Sequence, residues 1–243
     1  MLQYADATYL VEKSVPTTRM PWKASIARRL EASELLTQSA RSGISRWINP
    51  VLYYHVEPLI LVEGKSDQDF ITQALRLLTG MEFRVASLAT LLGDATQGGV
   101  QTLKRYLASN SEAILARPSS APLLLILDWD AANKVSEFKG LFGASDPFHV
   151  LAWPESNANP KLDKTFKGIE RFFTDDLIAK AEAKDASLVA TKANGMRTIN
   201  PQDYGQLKRI LADIVRKGLH REDVAFAEQF ILDLGQRARE HAV

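Results

Sequence analysis

The stretch "LILVEGKSDQDF", residues 59–70, decides the fold and raises the question of function. Its four apolar residues run directly into Glu63, and Asp67 follows four positions later. A second stretch, "LLLILDWDAA" at 123–132, repeats the arrangement with Asp128 and Asp130. Continuous apolar runs of this kind are typical of strands in a parallel sheet that is buried on both faces. Each of the two predicted strands therefore ends on carboxylates.

Strand and helix patterns alternate on either side of these two runs. The strands are predicted at "EPLILVE", "FRVASL", "PLLLILD" and "FHVLAW", and helical segments separate them. This alternation predicts an α/β fold with a parallel sheet flanked by helices, and with helical extensions at both termini. We divide the chain into a basic helical N-terminal extension (1–56), a core (57–155) and a mostly helical C-terminal part that completes the domain (156–243).

The two flanking parts differ in character from the core. Residues 1–56 hold seven Lys and Arg against four acids, and the apolar spacing of "PWKASIARRLEASELLTQSARSGISRWI" predicts a helix there. Its arginines either solvate the outer face of that helix or contact a phosphate backbone. In the C-terminal part, "GIERFFTDDLIAKAEAK", "YGQLKRILADIVRKG" and "REDVAFAEQFILDLGQRAREH" are predicted helices, and "SLVATKANGMRTINPQD" is ambiguous.

Composition excludes several kinds of site. The chain has 243 residues and no cysteine, so disulfides and cysteine-bound zinc are excluded. Its four histidines are scattered, so any metal would be held mainly by oxygen, as Mg²⁺, Mn²⁺ and Ca²⁺ are. The formal net charge of +1 neither demands nor excludes a nucleic-acid partner. We predict a cytoplasmic protein without a membrane partner, because neither a signal peptide nor a long apolar run is present.

The acids at the two strand ends predict a shared metal site. Ligands of open parallel sheets lie outside the carboxyl ends of the strands, where Glu63 and Asp128 fall. Asp130 would point the same way in extended geometry, and Asp67 begins the following helix. Four carboxylates there would repel one another unless a divalent cation neutralised them. The alternative is that Asp67 only caps its helix and the other acids are solvated strand ends.

Two glycine-containing segments are candidate phosphate-binding sites. "EGKS" is similar to the end of a P-loop, but that motif needs a glycine where this chain has Leu59. The segment "GDATQGG" could approach a phosphate through backbone amides, although a plain strand-to-helix connection is the favoured interpretation. The sequence therefore contains no P-loop.

The order of these motifs resembles a known family. A strand followed by Glu-Gly-x-x-Asp, a βα unit and then a strand with Asp-x-Asp is similar to the Toprim domain of topoisomerases, bacterial primases and several nucleases, over residues 57–155. The resemblance implies that Glu63 is the general acid/base and that Asp128 and Asp130 bind magnesium. A chain without cysteines and without room for a tyrosine-bearing cleavage domain is most similar to the overcoming-lysogenisation-defect (OLD) type of Toprim nuclease.

That resemblance implies further site residues and partners. The spacing Glu-x-x-x-Asp of the OLD type adds Asp67, and its later glutamate and lysine are assigned to Glu170 and Lys192, with Lys164 and Lys167 as rivals for the lysine. The resemblance also implies a role in phage defence and an ATPase partner, which would be a separate protein. Homo-oligomerisation is left open.

The predicted chemistry is hydrolysis of phosphodiester bonds in nucleic acid, with DNA favoured over RNA. Two Mg²⁺ or Mn²⁺ ions would activate water and stabilise the leaving oxygen, and Glu63 would relay the proton. Basic residues near the site would hold the flanking phosphates. They are Lys65, Lys104, Arg105 and Lys134.

The sequence leaves two alternative functions open. The acids are also similar to those of a response-regulator receiver, in which Asp128 would accept a phosphoryl group. Against this, Gly64 follows Glu63 where receivers carry a second acid, and Pro154 and Glu155 stand where a hydroxyl is needed, with Ser156 displaced. The other alternative is a non-catalytic Toprim module that only binds nucleic acid or a protein.

Overall fold

A four-stranded parallel sheet forms the centre of the molecule. The computed structural model describes residues 9–13, 25–29, 57–92, 99–143 and 145–240. Strands β3 (Leu59–Val62), β4 (Arg84–Ser87), β5 (Leu123–Leu127) and β6 (Phe148–Ala152) pair in the order β4-β3-β5-β6. All three pairings are parallel. The predicted α/β class and the four predicted core strands are therefore confirmed.

Eight α-helices are described. They are α1 (Lys65–Thr79), α2 (Leu88–Leu92), α3 (Val100–Ser109), α4 (Ser111–Leu115), α5 (Val135–Lys139), α6 (Asp175–Glu182), α7 (Tyr204–Lys217) and α8 (Glu228–Glu240). Gly80 ends α1 with a left-handed φ of 68°, a conformation that glycine adopts readily at helix ends. Within the described residues, no helix is both long and apolar enough to cross a membrane.

The sheet separates two apolar cores. Ile60, Val62 and Ile126 face a core that includes buried residues of α1, α6, α7 and α8. Leu61 and Leu125 face a second core that includes buried residues of α2, α3, α4 and α5. Because neighbouring residues of a strand point to opposite faces, a strand between two cores must be apolar throughout, which explains "LILV" and "LLLIL".

The C-terminal part packs directly against the core. Helices α7 and α8 both pack against α1, and α6 packs against α7. A short antiparallel hairpin, β7 (Val189–Thr191) with β8 (Arg197–Ile199), resolves the ambiguous segment between α6 and α7. The packing of α7 on α1 is what brings residues after 200 to the carboxyl edge of the sheet.

Part of the predicted N-terminal helix is wrong. Residues Ser25–Arg29 form strand β2, which pairs antiparallel with β1 (Tyr9–Lys13). A five-residue apolar–polar pattern fits a strand as well as a helix, and a partner sixteen positions away along the chain is invisible to local periodicity. The rest of that predicted helix lies outside the described residues.

Candidate functional site

Glu63 and Asp128 follow two neighbouring strands at the same edge of the sheet. Strand β3 pairs directly with β5, and Val62 lies opposite Ile126. Chain order reverses between these two strands, since β3 continues to β4 on one side and β5 to β6 on the other. Ligands of doubly wound sheets bind at such a switch point. The expected convergence of the two strand ends is therefore confirmed.

Asp130 reaches the same place by a different local structure from the one expected. The chain does not stay extended after Asp128 but enters a 3-10 helix, Trp129–Lys134. Even so, Glu63, Asp128 and Asp130 all line one cavity of about 400 Å³. Burial, and then the charge of Asp130, raises the pKa of Glu63. These three acids therefore face a common space.

Asp67 lies behind this group as a buried carboxylate. Gly64 is the N-cap of α1, and Asp67 Oδ2 accepts the Gly64 N–H at 2.9 Å. The residue is only 4% exposed, and its Oδ1 has no hydrogen-bond partner among the described residues. Burial, and then the charge of Glu170, raises its pKa to about 7. A buried oxygen without a donor is available to a cation.

Glu170 belongs to the same group. The segment predicted as one helix from Gly168 is a 3-10 turn (Gly168–Phe172) followed by α6, and this turn buries Glu170 to 1% exposure. Gly168 has a φ of +61°, and a Cβ there would lie 3.0 Å from Asp128 Oδ2 and 3.2 Å from Glu170 Oε2. Because Gly168 has no side chain, the carboxylates of Asp128 and Glu170 can both occupy the space beside it. Burial raises the pKa of Glu170.

Asp128 interacts electrostatically both with Glu63, which lines the cavity, and with the buried Asp67 and Glu170. Its pKa is raised well above the ordinary range by burial first, and then by the charges of Asp67, Glu170 and Glu63. Carboxylates that shift one another in this way cannot all ionise without a compensating cation. The structure therefore brings together all five acids that the sequence analysis selected.

Two residues of α7 that sequence analysis missed complete this group. Tyr204 donates from Oη to Glu170 Oε2 (2.9 Å) or to the Lys167 carbonyl oxygen (2.5 Å). Lys208, one helical turn later, places Nζ 3.5 Å from Glu170 Oε1. Burial lowers the pKa of Lys208, but the charges of Glu170, Asp67 and Asp128 outweigh that effect and leave the pKa raised. No local pattern distinguishes Lys208 from Lys217, the other lysine of its helix.

The structure corrects the assignment of the lysine. Lys192 does not line the cavity, because its Nζ pairs with Asp163 beside the β7–β8 hairpin. Of the two rivals, Lys164 pairs with Glu155 at 3.2 Å, whereas the exposed Lys167 lines the cavity. The lysine that contacts a site carboxylate is instead Lys208.

Of the four residues predicted to contact nucleic acid, one lines the cavity. Lys134 lines the cavity, and Lys104 and Lys134 both pair with Glu137 nearby. Arg105 is exposed on α3, and Lys65 is exposed and pairs with Asp69 at 2.6 Å. The cavity thus has Lys134, Lys167 and Lys208 as its basic residues.

The donor chemistry fits a hard divalent cation, although the acids do not form a closed coordination group as placed. Five carboxylates without nitrogen or sulfur donors are a ligand set of the kind that Mg²⁺ and Mn²⁺ take. Among the described residues, no three His, Asp or Glu side chains are grouped so that they could hold a metal ion. Binding an ion would therefore require the acids to draw closer together.

Comparison with known proteins adds no family to this description. The chain matches no protein-family model, no curated protein and no solved structure.

Proposed function

We propose that this protein is a divalent-metal-dependent nuclease of the Toprim kind that hydrolyses phosphodiester bonds of nucleic acid, with DNA the favoured substrate. The observation that carries the proposal is the meeting of Glu63, Asp128 and Asp130 at the ends of two paired parallel strands, around one cavity. Basic residues line the same cavity, so that acids for a metal and cations for phosphates stand side by side.

Asp128, Asp130 and Glu63 would hold the ion, with Asp67 and Glu170 behind them. A bound Mg²⁺ or Mn²⁺ would supply Lewis-acid stabilisation of the phosphoryl oxygens and lower the pKa of a water molecule. The unpartnered Oδ1 of Asp67 supports this assignment, because a buried carboxylate oxygen without a donor is costly. The number of ions, one or two, is part of the proposal to be tested.

The chain's own side chains would perform the remaining tasks. In hydrolysis, water adds to phosphorus, the bond from phosphorus to the leaving oxygen breaks, and a proton passes from water to that oxygen. Glu63 would carry this proton, because it lines the cavity at the end of β3. Lys134 and Lys167 would bind the phosphates on either side of the scissile bond.

Plasmid nicking with Mg²⁺ or Mn²⁺ tests the proposal. Wild-type protein should nick supercoiled DNA, and EDTA should stop it. Glu63→Gln and Asp128→Asn should each lower the rate by roughly a hundredfold or more while the far-ultraviolet circular dichroism stays unchanged. Asp146→Asn is the matched control, because Asp146 is an exposed acid outside the cavity. Inactive wild-type protein on both DNA and RNA, or fully active variants, would overturn the proposal.

The same samples separate the two alternatives. A receiver would become labelled on Asp128 by a small phosphodonor, and a non-catalytic module would neither nick nor label. The described lining of the cavity includes no serine or threonine, and Ser156 is exposed with its Oγ donating to Asn157 Oδ1 at 3.1 Å. This placement favours the nuclease over the receiver.

The partner and the biological setting rest on the resemblance alone. OLD-type nucleases commonly work with an ATPase, and this sequence contains no P-loop, so we propose a separate ATPase partner and a role in phage defence. Co-purification of an ATPase with the tagged chain from its native cells would support this extension. Purification of the tagged chain alone, with full nicking activity, would argue against it.

A further inference from the structure

One lysine stands among the buried acids. Lys208 Nζ lies 3.5 Å from Glu170 Oε1, and its charge lowers the pKa values of Glu63, Asp67 and Asp128 against the opposing effect of burial. Four of the five site acids therefore have the same ammonium group as a counter-charge.

We propose that Lys208 is the counter-cation of the carboxylates in the metal-free protein and that it competes with a divalent ion for them. A divalent ion that binds the acids would displace the ammonium group from Glu170. The Lys208 side chain would then remain in the cavity that it already lines. This inference rests on the proposed metal site and describes how that site is regulated.

The need for such a group follows from burial. Asp67 and Glu170 are 4% and 1% exposed. An ionised carboxylate removed from water is costly unless an opposite charge or several donors compensate it. Among the described residues, Lys208 is the only cation that forms an ion pair with any of the five acids. Removing Lys208 would leave the buried Glu170 without this counter-charge.

The contact is also loose enough to be exchanged. A charge-assisted hydrogen bond is typically about 2.7–2.9 Å long, and the distance from Lys208 to Glu170 is 3.5 Å. About a third of the Lys208 side chain is exposed, at 34%. Its ammonium group can therefore leave the acids without disturbing the buried Leu207 and Leu211 that fix α7.

Tyr204 explains why Glu170 would stay in place during the exchange. Its hydroxyl lies 2.9 Å from Glu170 Oε2, the oxygen other than the one nearest Lys208. When this hydroxyl donates to Oε2, a neutral donor holds one oxygen of Glu170 and an exchangeable cation faces the other. The arrangement leaves Glu170 Oε1 free to change partners.

Mn²⁺ binding to the full-length protein tests the competition. We would measure it by calorimetry and by electron paramagnetic resonance at pH 8.5, where protons compete least with the metal. Lys208→Gln should bind Mn²⁺ on the order of tenfold more tightly, because a positive charge near the ion is removed. Lys208→Arg keeps the charge and should bind as wild type does. Lys217→Gln is the control, since Lys217 is an exposed lysine of the same helix that does not line the cavity.

Thermal unfolding provides a readout that a merely structural lysine would not give. Lys208→Gln should unfold at a lower temperature than wild type in EDTA and regain most of the difference in Mn²⁺. A structural lysine would cause the same loss in both conditions. Lys208→Met replaces Lys208→Gln if the latter does not fold.

The outcomes distinguish the two proposals. Wild-type protein that binds no Mn²⁺ would overturn the proposed function and, with it, the role of Lys208. Wild-type protein that binds Mn²⁺, together with a Lys208→Gln variant that binds it equally or more weakly, would overturn only the counter-cation role.

Discussion

Glu63 and Asp128 leave two paired parallel strands within about one residue of the same level. Val62 lies opposite Ile126, so Glu63 comes one residue after that pair and Asp128 two residues after it. Because the two strands run in the same direction, the side chains of Glu63 and Asp128 enter the same space outside the sheet. The behaviour of this acidic group without metal can be predicted from its burial.

Asp67→Asn should stabilise the metal-free protein at neutral and higher pH. The carboxyl of Asp67 has a pKa of about 7 in the fold, against an ordinary 3.8, so the folded state favours the protonated form. Wild type therefore loses stability as pH rises from about 4 through 7, and the asparagine variant lacks that part of the loss. We expect a gain of about 1–4 kcal/mol at pH 8 in EDTA, which vanishes near pH 4. Urea unfolding across this pH range measures it.

Asp146→Asn is the control for that series, since it removes an exposed carboxylate outside the cavity. An Asp67→Asn variant less stable than wild type at pH 8 would contradict the raised pKa.

Metal affinity should rise with pH. The pKa values of Asp67 and Asp128 are both raised, so an ion must displace protons from the site at pH 6 and fewer at pH 8. We expect the dissociation constant for Mn²⁺ to fall by roughly tenfold or more over this interval. Calorimetry in two buffers of different ionisation enthalpy counts the released protons. Binding that is independent of pH and releases none would be inconsistent with buried, proton-bearing ligands.

Gly168→Ala should damage the site beyond its effect on the backbone. Gly168 and Gly195 both have positive φ values, +61° and +78°, so alanine costs about 1–2 kcal/mol at either position. Only at Gly168 would the new Cβ also approach carboxylates, at 3.0 Å from Asp128 and 3.2 Å from Glu170, whereas Gly195 has nothing within 4 Å.

Both variants should therefore be destabilised, but Gly168→Ala alone should weaken Mn²⁺ binding. Denaturant unfolding and calorimetry on the pair measure the two effects. Equal metal affinity in the two variants would mean that the space beside Gly168 plays no part in metal binding.

Tyr204→Phe should lower the unfolding free energy by about 1–2 kcal/mol, because it removes the hydroxyl that donates to Glu170 Oε2 or to the Lys167 carbonyl oxygen. A double-mutant cycle with Glu170→Gln isolates the contact between the two side chains. A coupling energy near zero would show that the tyrosine bonds only to the Lys167 carbonyl.

The sequence by itself determined the sheet and half of the site. Continuous apolar runs at 59–62 and 123–127 can be satisfied only between two cores, and both runs are buried on both faces as predicted. Acids placed directly after such strands must lie at the carboxyl edge, which is why Glu63 and Asp128 were located correctly. These features depend on local order along the chain, which sequence records.

Tertiary structure alone decided what stands behind those acids. Lys208 reaches Glu170 because α7 packs against α1, and Glu170 is buried by a turn whose shape depends on Gly168 and its neighbours. In the same way, Ser25–Arg29 became a strand because Tyr9–Lys13 pairs with it. Contacts between residues far apart in the chain leave no periodic trace in sequence, so Lys192 was chosen on plausibility, and only packing identified Lys208.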